Sequence, residues 1–73
     1  MSKRIGHIVK INANMVTAQL DDFVIQNEVA YILHGQVRLK AEVIRVRNNC
    51  AQMQVFESTS GLKVGEEVEF SGT

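Results

Sequence analysis

An all-β fold, a small six-stranded barrel that is closed or nearly closed and has no substantial helix, is predicted by three observations. Apolar residues recur with a period of two along several runs, where a helix would space them by about 3.6. Clusters of turn-forming residues interrupt those runs at short intervals. One long apolar run changes phase midway, as a strand does when it bends to follow a barrel wall. The 73 residues make a single domain, 1–73, with one core. A chain this short buries only about 60% of the surface that its unfolded form exposes, so a partner or an attached domain would add to its stability.

The strands follow in order. Residues 4–11 are rich in Ile and Val, and Asn12-Ala13-Asn14 supplies the first turn. In residues 15–20, Val16, Ala18 and Leu20 share one face, opposite Thr17 and Gln19, until Asp21-Asp22 ends the run. Residues 22–30 have too many β-branched residues and too short a span for a stable helix, and are read as a loop. Alternation resumes over 28–33, with Val29, Tyr31 and Leu33 expected inward, and His34-Gly35 closes a tight turn because Gly tolerates positive φ. The fourth strand is long. Val37, Leu39, Ala41 and Val43 lie on one face, then Ile44 and Val46 on the other, which predicts a bulge or sharp bend near Val43-Ile44. Asn48-Asn49 is a two-residue hairpin turn into Ala51, Met53 and Val55, with Gln52 and Gln54 outward, and Val68 and Phe70 anchor a final short strand. The expected core is Ile8, Val16, Leu20, Val29, Leu39, Val43, Met53, Val55 and Val68.

Charge narrows the class of partner. Eight basic and eight acidic residues cancel and are interspersed, against the basic excess of a nucleic-acid binder or a polybasic membrane surface. Hydrophobic residues at 45% and charged residues at 22% describe a globular chain. Cys50 is the single cysteine, which excludes an intrachain disulfide and fits a reducing compartment. No apolar run approaches the roughly 20 residues of a membrane-spanning helix. The basic start Met1-Ser2-Lys3-Arg4 is not followed by the apolar stretch of a signal peptide.

No group of residues assembles into a catalytic or metal site. His7, His34 and Cys50 lack the paired spacing of a zinc centre. Thr59-Ser60-Gly61-Leu62 does not match a Gly-x-Ser-x-Gly nucleophile turn, and a hydroxyl-rich corner that bonds its own backbone accounts for Ser58, Thr59 and Ser60. Glu42 and Glu57 alternate with apolar neighbours, as on a solvated face, and Glu66, Glu67 and Glu69 form an acidic patch facing Lys63. The chain has no Gly-x-x-x-x-Gly-Lys-Ser/Thr phosphate loop. Neither Gly61 nor Gly65 opens a helix, so neither builds a phosphate cradle.

Three stretches carry a family resemblance. They are Gly6-x-Ile8-Val9-x-Ile11 with Val16-x-Ala18, then the run from Val37 through Ala41-Glu42-Val43-Ile44 to Val46, and then Gln54-Val55-Phe56-Glu57-x-Thr59-x-Gly61-Leu62-x-x-Gly65-x-x-Val68. In this order they resemble the N-terminal β-barrel of rotary ATPase head subunits, and most of all the catalytic A subunit of V-type ATPases and ATP synthases. The chain departs from that pattern at Ala41, where the family has Gly, at Asn12-Ala13-Asn14, where it has Gly-Pro, and at Glu67, where Pro is common.

The resemblance implies a barrel packed beside neighbouring head subunits in a crown, without catalysis or cofactor of its own. In the longer subunit, ATP or ADP with Mg would bind a following domain and couple to proton or sodium transport. It also implies a cytoplasmic location, peripheral to the membrane through the complex, with no direct membrane or nucleic-acid contact. The chain reads as the N-terminal fragment of such a subunit, monomeric or weakly associating by itself. Glu57, Ser58, Thr59 and Ser60 are the candidate interface residues. The alternatives are the barrel of the noncatalytic B or an F-type head subunit, or a translation-factor-type barrel.

Overall fold

The structure is a computed structural model that describes residues 4–72; residues 1–3 of the basic start, and Thr73, lie outside the described residues. Six strands form, β1 (Arg4–Asn12), β2 (Met15–Gln19), β3 (Val29–His34), β4 (Val37–Arg47), β5 (Cys50–Val55) and β6 (Glu67–Phe70). They close in the order β1-β2-β5-β4-β3-β6, with every neighbouring pair antiparallel. The expected all-β closed barrel is the fold observed.

Turn chemistry sets the hairpins. Ala13-Asn14, Gly35-Gln36 and Asn48-Asn49 are two-residue connections, and their first residues take φ of 56°, 61° and 55°. Gly35 meets that demand without a Cβ penalty; Ala13 does not. Gly6 answers a different constraint. A Cβ there would lie 2.8 Å from the Gln19 carbonyl oxygen, so β1 reaches β2 this closely only with glycine.

Inside, small and large residues alternate to fill a narrow barrel. Ala18 faces Ala51 and Ala30 faces Ala41 across neighbouring strands, all four fully buried. The room they leave is taken by Ile8, Ile32, Met53, Val55 and Phe70. The β4 bend is where the phase change places it. Register shifts between Val43 and Arg45, leaving Ile44 as the extra residue, and Val46 then pairs with buried Ala51. A second irregularity, between Ile8 and Lys10 in β1, leaves Val9 without a register partner and sets two exposed residues, Val9 and Lys10, in succession, which the sequence pattern did not reveal.

The phase of β3 corrects the sequence reading. Ala30 and Ile32 point inward, whereas Val29, Tyr31 and Leu33 are only half-buried on the outer side. The physical reason is twofold. Ala30 fits opposite Ala41, and the same inward phase carries Glu28, whose charge is neutralised where it is buried. On the outer side Arg38 stacks 4.5 Å from the Tyr31 ring centre, which gives that large side chain its cover.

Candidate functional site

The connection from β5 to β6 holds the residues expected at an interface. Glu57, Ser58 and Ser60 are exposed, and Thr59 is half-buried. The Thr59 hydroxyl donates to the Ala13 carbonyl at 2.8 Å, tying the corner to the β1–β2 turn. The Ser60 N–H donates to the Ser58 hydroxyl at 3.2 Å, and Leu62 N–H to the Thr59 carbonyl at 3.1 Å, so the corner bonds its own backbone. Leu62 then packs on the core. Thr59 is therefore turned toward the barrel, while Glu57, Ser58 and Ser60 present their side chains outward beside the exposed Phe56 ring.

Glu66 is more than part of a solvated acidic patch. One carboxylate oxygen accepts the Lys63 N–H at 2.8 Å and the other lies 2.6 Å from His34 Nδ1. The Lys63 N–H is the main influence holding this carboxyl below its ordinary value of 4.5, against a small burial penalty and with help from His34. His34, half-exposed at the end of β3, thus clips the turn that leads into β6. Glu69 pairs with Arg38 at 3.2 Å.

A polar centre that the sequence reading missed sits at one end of the barrel. The Glu28 side chain is fully buried and is bracketed by the Arg4 guanidinium, one of whose contacts is 3.1 Å. The Ile25 and Gly72 N–H groups each donate to it at 2.7 Å. Arg4 also donates to the Phe23 carbonyl at 2.6 Å and stacks 4.6 Å from the Phe23 ring centre. Burial by itself pushes the Glu28 carboxyl up. The Arg4 hydrogen bonds, the two N–H groups and the Arg4 charge together pull it below 4.5. One carboxylate thereby joins the start of β1, the loop at 21–28 and the chain leaving β6. The Asn27-Glu28 step before an apolar run was the available signal, but Val29, Tyr31 and Leu33 offered a larger alternating set.

Two hollows mark the outer wall. An open cleft of about 460 Å³ lies along β1 and the end of β2, between His7, Val9 and Asp21. A smaller one of about 170 Å³ lies between Arg45, Arg47 and Cys50. Among the described residues, no three His, Cys, Asp or Glu side chains gather where they could hold a metal ion. No helix among them is long and apolar enough to cross a membrane.

The architecture is a closed six-stranded antiparallel barrel in which the buried Glu28 carboxylate joins an end loop to the strands, the form of a small β-barrel domain. Comparison identifies which one. The ATP synthase alpha/beta family, beta-barrel domain, matches residues 2–72, and the chain belongs to that family. It is 50% identical over 72 residues to the V-type ATP synthase alpha chain of Treponema denticola, covering 99% of this chain and 12% of that relative. Identity is 49% over 72 residues to V-type ATP synthase alpha chain 1 of Treponema pallidum, again with 99% and 12% covered. The V-type ATP synthase alpha chain of Borreliella afzelii is 48% identical over 66 residues, 90% of this chain and 12% of its own length. The chain spans about 12% of the curated relatives it matches.

Proposed function

We propose that this barrel is the N-terminal crown module of a V-type ATP synthase alpha chain and holds that chain against its neighbours in the rotary head. The observation that carries the reading is the 50% identity to such an alpha chain, sustained over 99% of the present chain. The closed barrel supports it: six strands paired on both sides make a rigid ring, which suits a part that must resist torque while a shaft turns inside the head. Glu57, Ser58, Thr59 and Ser60 are candidates for the contact with a neighbouring subunit. Phe56, 55% exposed beside them, offers an apolar anchor for it.

ATP chemistry belongs, in this reading, to a further domain of the longer subunit, where ATP or ADP and Mg bind and where turnover couples to proton or sodium movement. The complex is cytoplasmic and peripheral to the membrane. The absence of a Gly-x-x-x-x-Gly-Lys-Ser/Thr loop from these 73 residues supports that division of labour.

The test is a domain exchange. This chain replaces the matching segment of the Treponema denticola alpha chain, and assembly of the head is followed by native mass spectrometry together with ATP hydrolysis. The exchanged chain should assemble and turn over ATP, whereas an alpha chain without the segment should fail to assemble. Normal assembly without any barrel would refute the crown role. Saturable micromolar binding of Mg-ATP to this chain alone, read by calorimetry, would refute its noncatalytic place.

A further inference from the structure

The outer face made by β2, β5 and β4 carries two arginines that form no ion pair among the described residues. Register places Thr17, Gln52 and Arg45 in one cross-strand row and Gln19, Cys50 and Arg47 in the next. The Ile44 bulge resets the phase of β4, so both arginines stand on this face, about 6.6 Å apart along the strand. Arg4 and Arg38 are occupied by Glu28 and Glu69, whereas Arg45 and Arg47 form no ion pair with any described residue. The hollow of about 170 Å³ between them is lined otherwise by Thr17, Cys50 and Gln52. Each lining side chain can donate a hydrogen bond and none is negative.

One acid of the barrel shares this face: Glu42 on β4 stands opposite Gln54, one outward row from Arg45, and forms no ion pair with either arginine. Glu67 and Glu69 lie on β6, and in the ring β1-β2-β5-β4-β3-β6 that strand stands three places from β5, on the opposite wall. We propose that the β2-β5-β4 face docks an extended acidic segment of a partner protein, with carboxylates on alternate residues seated on Arg45 and Arg47. Alternate residues of an extended chain have the same spacing as the two arginines. Guanidinium groups take carboxylates through paired hydrogen bonds, and arginines are frequent anchors of interfaces. A lone small anion gains little from two exposed arginines in water. A segment brings both carboxylates at once and holds them there. This inference goes beyond the crown role and does not depend on it, because the face can be read on this chain alone.

The test is a titration of the isotope-labelled 73-residue chain, followed by nuclear magnetic resonance. Three probes are used at matched ionic strength: a capped peptide of alternating Glu and Thr, its counterpart of alternating Lys and Thr, and inorganic phosphate. The acidic peptide should move the resonances of Thr17, Arg45, Arg47, Cys50 and Gln52, with an affinity that falls as salt rises. Arg45→Gln with Arg47→Gln should weaken it roughly tenfold or more. Thr17→Glu, which places a carboxylate inside the hollow, should block it as well and serves if the double variant does not fold. The proposal is overturned by shifts centred on Arg38 or spread evenly over the barrel, by phosphate binding the same residues as tightly as the peptide does, or by undiminished peptide binding in either variant.

Discussion

Glu28 ties together three segments that share no strand with one another: the start of β1 through Arg4, the loop at Ile25, and the exit of β6 at Gly72. Removing one member of such a buried pair leaves the other charged and unpaired, so Glu28→Ala should cost about 3–5 kcal/mol, enough to unfold much of a domain this small. The pH dependence has a definite sign. A carboxyl held below 4.5 in the folded state stabilises fully above that value, and the contribution is lost as pH falls through the lowered one. Melting temperature should therefore drop as pH is taken below 4.5, and Glu28→Gln should flatten the drop while lowering the plateau. An unchanged acid slope in Glu28→Gln would mean that other carboxylates govern it. Ala13 is the opposite case, a residue the fold tolerates at some cost. Its φ of 56° suits glycine, so Ala13→Gly should raise stability by about 0.5–1 kcal/mol in urea unfolding.

Strand phase decides which side chains the core receives, and β3 shows how a sequence can mislead. Val29, Tyr31 and Leu33 form the bulkier alternating set, but the barrel takes Ala30 and Ile32 because inner space is set by cross-strand neighbours that periodicity does not report. Ile32→Ala should therefore cost about 2–5 kcal/mol, and Leu33→Ala clearly less, in chemical denaturation of the two variants. Equal losses would return β3 to the phase its sequence suggests. Elsewhere the pattern was sufficient. Clean alternation in β2 and β5 and the slip at Val43-Ile44 were legible because each strand has one apolar and one polar side. The Val9 irregularity was not, since apolar residues occupy both sides of β1. The Arg4–Glu28 pair was hidden for another reason: its partners are 24 residues apart, and nothing local marks them as neighbours. At the Ser58–Ser60 corner the self-bonding was legible from its hydroxyls, but the turn of Thr59 toward Ala13 depends on the strands brought beside it.

Closure governs how the whole molecule meets others. With β1 and β6 joined, every strand among the described residues has a neighbour on both sides, so contact with another chain falls chiefly to side chains on the walls and end loops. Contacts of that kind are small one at a time, and the chain alone should be monomeric, or only weakly associating, at micromolar concentration in light scattering. A tight, stable oligomer of the isolated chain would show that one wall carries a larger interface than its side chains suggest.

The pairing of β1 with both β2 and β6 also sets a timetable for synthesis. A hairpin such as β1–β2 zips within about 1–10 μs of being made. The last strand follows only after several seconds, at roughly 5–20 residues per second on the ribosome. Through that interval the far side of β1 waits without its neighbour, its backbone groups facing solvent or any strand that passes. If the Val9 bulge forms along with that hairpin, the added twist makes β1 a poorer template for a stray chain. A feature that only bends the finished wall would then guard the unfinished one.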